Sequence, residues 1–212
     1  MKHTTRPRTT LTRTTRPRTT ITLAAIGVAV AACAALPVSV VDAAPRSDQA
    51  AATAKADAAI QERLTAIGTL QGLLQGVTHS ECQAATMSAQ LVADATGLTA
   101  LQAEIDALPE GTTAQEFKAL SGQIAPEYRI YMLQTPKANT VVACDKVFVA
   151  ADLLDVQAAR DEAIAAVNGV IGLTADGGDV SVQASNKAAL RAARADLHDA
   201  VGLLKAARDA AA

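Results

Sequence analysis

His79, Glu81 and Cys82 place an imidazole, a carboxylate and a thiol within four positions, donor types that a transition metal could take. No further convergent ligand stands near them in the sequence, so no metal site is expected there. Cys82 and Cys144 lack the Cys-x-x-Cys spacing of a redox pair. In an oxidising compartment such an even pair reads as one structural disulfide joining two helices.

The remaining candidates for chemistry are carboxylates. Asp176-Gly-Gly-Asp179 sets two of them on a glycine turn, but the alternating ligands of a calcium loop are missing. Asp152, Asp155, Asp161 and Glu162 lack the Glu-x-x-His pairing of di-iron bundles and read as a solvated face. His198 stands by itself on the last helical stretch. There is no Gly-x-Ser-x-Gly elbow, phosphate loop or His-Glu-x-x-His. The expectation is a protein without catalytic activity and without a cofactor.

The segment before these residues sets the compartment. Lys2, Arg6, Arg8, Arg13, Arg16 and Arg18 come before any acidic residue, and an uncharged run spans 21–41. That order of basic stretch, apolar stretch and small-residue site is an export signal, expected over 1–43, with residues 44–212 as the exported domain. Val41-Asp42-Ala43 suits cleavage after Ala43. Val30-Ala31-Ala32-Cys33 fits a lipobox, in which Cys33 would be acylated and tether the protein to a membrane, although residues 34–41 are more apolar than a usual tether. An uncleaved anchor is the third reading, since 21 residues make a helix of about 31 Å. Thr-Thr-Arg-Pro-Arg-Thr-Thr occurs at 4–10 and again at 14–20 and lengthens the basic region.

Residues 44–212 carry 13 Lys plus Arg against 20 Asp plus Glu, a net charge of −7. Such a surface disfavours nucleic acid and anionic lipid. The whole chain has no Trp and only two Tyr and two Phe. A core must therefore come from Ala, Leu, Val and Ile, and almost nothing is left from which to make the exposed aromatic platforms of carbohydrate-binding modules.

Helical periodicity positions these residues. Ile60, Leu64, Ile67, Leu70 and Leu74 recur at three and four residues within a first helix over 47–77. Ser80-x-x-Gln83 has the form of a capping box and opens a second helix to 108, with Gly97 as its kink. Thr113-x-x-Glu116 opens a short third helix. Pro126 predicts an extended or irregular segment to 134. Thr135-Pro136 starts a long helix to 171, and a last helix over 180–210 carries Leu190, Leu197 and Leu204 on one stripe. The expected fold is all-α: an antiparallel up-down four-helix bundle with one additional short helix and an extended crossing segment.

The crossing segment, Glu127-Tyr-Arg-Ile-Tyr-Met-Leu-Gln-Thr-Pro-Lys137, is the most specific stretch of the chain. It resembles uncharacterised secreted helical proteins of actinobacteria, in which Tyr-Arg-x-Tyr precedes Pro-Lys and a long helix. The resemblance covers residues 120–155 and implies fold and compartment, with no activity attached. Phe117, Tyr128, Tyr131 and Phe148 all lie in or beside it, and Tyr128 and Tyr131 are expected to fill the core. Tyr128, Arg129, Tyr131 and Lys137 are the candidate ligand or partner contacts, the two cations for an anionic group or for carboxylates of the chain itself. The expected role is an interaction or structural component of the cell envelope, its partner an envelope or extracellular protein of unknown identity. The alternative is a small-ligand carrier or sensor subunit with a pocket near Tyr128 and Tyr131.

Overall fold

The computed structural model describes residues 46–212; the export segment, the cleavage site after Ala43, the lipobox at Cys33 and the basic repeat lie outside the described residues. The described chain is all-α, with no strand among the described residues. Its helices are α1 (Arg46–Leu74), α2 (Ala84–Asp106), α3 (Ala114–Ser121), α4 (Thr135–Leu154), α5 (Gln157–Ile171) and α6 (Val180–Ala211). None is long and apolar enough to cross a membrane.

The predicted stripe of α1 is its buried face: Ile60, Ile67, Leu70 and Leu74 are buried and Leu64 half-buried. It meets Met87, Leu91, Leu98, Leu101 and Ile105 of α2 in one core. Side chains along the seam fix opposite directions for the two helices. Gln49 donates to the Pro109 carbonyl at 3.2 Å, and Gln61 donates to Gln102 at 3.0 Å.

The second helix starts later than its capping pattern predicts. Ser80–Cys82 form a 3-10 turn, Gln83 takes a left-handed conformation (φ 59°), and α2 begins at Ala84. The Ser80 hydroxyl donates to Glu81 instead of capping the helix. By contrast Thr113 and Glu116 make the full capping box that opens α3.

The crossing segment is not extended, which corrects the expectation drawn from Pro126. Residues 122–128 are turns, Arg129 is left-handed (φ 41°), and Ile130–Gln134 form a π-helical turn leading directly into α4. The physical reason is Pro136. In a regular α-helix its ring would collide with the Met132 carbonyl, and a widened turn before it relieves that crowding. Ile130 and Leu133 point inward from this turn.

Nor is 135–171 one helix. Asp155 adopts a left-handed conformation (φ 52°), α4 stops at Leu154, and α5 folds back along it. Lys137, near the start of α4, reaches the Leu173 carbonyl just past the end of α5 at 2.7 Å. The expected four long helices are therefore five. α5 buries Ala159, Ala163, Ala166, Val167 and Val170 against α4 and α6, while α6 buries Ala193 and Ala200. Small side chains here let three helices pack closely where larger ones would hold them apart.

Candidate functional site

The turns around 126–137 place the four candidate contacts in four different settings. Tyr128 packs its ring against α2 at Gly97. A Cβ built on Gly97 would lie 2.7 Å from the tyrosine Oη and 2.8 Å from its Cε1. α2 runs unbroken through Gly97, whose missing side chain clears space for a ring. A double-mutant cycle checks this. Gly97→Ala is expected to destabilise the wild type by about 1 kcal/mol, overpacking outweighing the gain in helix propensity. In the Tyr128→Ala background the same change should stabilise, read from urea midpoints.

Tyr131 corrects the core expectation. The π-helical turn carries it outward, 39% exposed, where its hydroxyl donates to Glu62 at 3.0 Å and the Arg63 guanidinium lies 5.8 Å from its ring centroid. Arg129 is paired to Asp176 at 2.7 Å, a bond that holds the Asp176 carboxyl below its ordinary range. Asp176 also accepts from the Gly178 N–H, and Asp179 caps α6 by accepting from Ser181 and Val182 N–H groups. Both carboxylates of the glycine turn are thereby engaged in the fold. Lys137 is not a surface contact: it is 1% exposed, bonded to Gln90 Oε1 at 2.6 Å and to the Leu173 carbonyl, and burial pushes its pKa down to about 8.

A second cluster gathers where α1 passes into α2. Cys82 and Cys144 form a disulfide with Cα atoms 5.7 Å apart, tying the 3-10 turn to α4. Beside it, Asp145 Oδ1 accepts from the backbone N–H groups of Thr78 and His79 at 2.8 and 2.9 Å and from the Thr78 hydroxyl at 3.1 Å. The same oxygen lies 2.7 Å from His79 Nδ1. Nε2 of the ring lies 3.3 Å from Asp152, which Arg160 also holds, at 2.6 Å. Phe148 packs on the imidazole with ring centroids 5.1 Å apart.

Comparison with protein-family models, with curated proteins and with solved structures gives no match. The chemistry of the site therefore rests on its own geometry. With a carboxylate at each nitrogen, the protonated form of the imidazole is favoured and paired at both ends, an arrangement that clasps the 79–82 turn to α4. The sulfur of Cys82 is spent in the disulfide, so the three donors at 79–82 do not converge. No group of three or more His, Cys, Asp or Glu suited to a metal occurs among the described residues. Asp145 and Arg160 have no place in the sequence-based expectation and Asp152 stands there only as part of a solvated face, whereas it pairs with His79 and Arg160; pairing Cys82 with Cys144 necessarily brings residue 145 close to the 79–82 turn.

The Asp145 hydrogen bond, with help from Asp152, raises the His79 pKa above 6.5 against the opposing effect of burial. Burial acts to raise Asp145, but its bonds to His79 and Thr78 prevail and hold it below 3.8. Asp152 is lowered by Arg160 and His79. The His79 contribution to stability is complete below pH 6.5 and is lost as pH rises through the raised value. The carboxylate contributions are present above pH 3.8 and are lost as pH falls through the lowered ones. The clasp is thus strongest between those limits. A melting midpoint that declines as pH rises above 6.5 in the wild type, and declines less in His79→Gln, is the expected result.

Two surface concavities of about 500 and 550 Å³ lie elsewhere. One is formed around Leu108–Leu120, the other by Gln71 of α1 with Val92, Ala95 and Thr99 of α2. Neither is lined by Tyr128 or Tyr131.

Proposed function

We propose that this protein is a non-catalytic, extracytoplasmic helical scaffold, an interaction or structural component of the cell envelope, built as an up-down array of antiparallel helices. One observation carries the reading: the side chains best suited to chemistry are engaged in holding helices together. His79 is clasped by Asp145 and Asp152, Cys82 is bonded to Cys144, and Arg129 is paired with Asp176. The disulfide supports an oxidising compartment, as does the basic-then-apolar order of residues 1–43. The acidic surface supports a protein partner over nucleic acid or anionic lipid. A carrier pocket at Tyr128 and Tyr131 gains less support, because one ring fills the space at Gly97 and the other lies against Glu62 and Arg63.

The test is to recover the native protein from envelope and culture fluid and identify what accompanies it. A protein partner retained at physiological salt is the expected result. A small molecule released on denaturation, with no protein partner, would replace the scaffold by the carrier.

A further inference from the structure

Where α2, α4 and the end of α5 meet, a buried lysine faces a half-buried glutamine. Lys137 Nζ lies 2.6 Å from Gln90 Oε1, and its second partner, the Leu173 carbonyl, is likewise an uncharged oxygen. The amide of Gln90 is oriented at both ends, its Nε2 donating to the Ile171 carbonyl at 2.9 Å. Asp94 stands one helical turn beyond Gln90, on the same face of α2, and is held by Gln134 Nε2 at 2.7 Å.

We propose that Lys137 and Gln90 form an isopeptide cross-link between α4 and α2, an amide from Nζ to the glutamine Cδ made with loss of ammonia. Such a bond requires an amine that can shed its proton, an acyl group fixed beside it and a carboxyl to carry protons: Lys137 is the amine, Gln90 the acyl group at hydrogen-bond distance, and Asp94, one turn along the same face of α2, the carboxyl. Burial favours the uncharged forms of both ionisable groups, lowering Lys137 and raising Asp94.

Asp94 takes a proton from the ammonium, and the freed Nζ lone pair attacks Cδ while the carbonyl electrons move to Oε1. The carboxyl then protonates Nε2. As the C=O reforms, the Cδ–Nε2 bond breaks, ammonia leaves, and Nζ gives up its surplus proton to the carboxylate. One amine and one primary amide become one secondary amide and one ammonia, so neither oxidant nor reductant is needed. The link would tie α2 to α4, as the disulfide ties the turn before α2 to α4, and it would persist under reducing conditions.

Peptide mapping of the folded full chain, after reduction and denaturation, decides the matter. The expected product is a branched peptide holding Gln90 and Lys137 and lacking one ammonia. It should be absent from Lys137→Arg. In Asp94→Asn it should form at least about 10²-fold more slowly while the helical circular-dichroism signal is kept, and Asp94→Glu should restore it. If Asp94→Asn does not fold, the wild-type map alone decides. Recovery of Gln90 and Lys137 in separate, full-mass peptides after prolonged incubation of folded wild type would overturn the proposal. Equal rates in folded Asp94→Asn and wild type would remove Asp94 from it.

Discussion

Replacing Cys82 and Cys144 together by alanine is expected to lower the unfolding free energy by about 4 kcal/mol, the chain-entropy cost of a loop of this size. The two cysteines are 62 residues apart and both are fully buried. The loop between them contains all of α2 and α3 and the start of α4, so its freedom in the unfolded chain is large. Against a total of roughly 5 to 15 kcal/mol for a domain, that loss shifts the urea midpoint heavily. The size of the effect also reports on the second cross-link. With Gln90 and Lys137 joined, the ring that the disulfide closes shrinks to on the order of 15 residues and the cost falls to about 3 kcal/mol. A double variant as stable as wild type would mean that the bond contributes nothing to the fold.

Asp145→Ala should be nearly as damaging, at about 2 to 3 kcal/mol. Asp145 is only 8% exposed, and one of its carboxylate oxygens receives two backbone N–H groups, a hydroxyl and the imidazole of His79. Hydrogen bonds to a charged group contribute more than neutral ones, and the donors left behind are partly shielded from water. Asp145→Asn keeps an acceptor but loses the charge, so it should fall between alanine and wild type. Urea titration of the three proteins orders them. An alanine variant within about 0.5 kcal/mol of wild type, the range of an ordinary surface change, would show that the clasp holds nothing.

Most of the scaffold was legible because apolar periodicity and capping chemistry are local. Ile60 to Leu74, Met87 to Ile105 and the Thr113–Glu116 box lie where their spacing puts them. The breaks were harder to read. Asp155 and Gln83 adopt left-handed conformations without being glycine, so no composition signal marks the hairpin between α4 and α5 or the late start of α2. Thr135-Pro136 does open α4, as proline at the first turn of a helix predicts, but its crowding of the preceding turn, which produces the π-helical stretch that faces Tyr131 outward, has no local signal. The disulfide could be inferred by counting cysteines. The clasp beside it could not, because His79 and Asp145 are joined by tertiary packing across 66 positions. Lys137 was legible as a cation and illegible as a buried one: its burial depends on how α5 folds back, which hinges on Asp155.

Intact mass with thiol counting on the native protein tests most directly the proposal of an exported scaffold held by covalent and ionic ties. The expected result is a chain beginning at Ala44, recovered outside the cytoplasm, with no titratable thiol after denaturation without reductant. A chain that retains residues 1–43, resides in the cytoplasm and yields free thiols at Cys82 and Cys144 would contradict it.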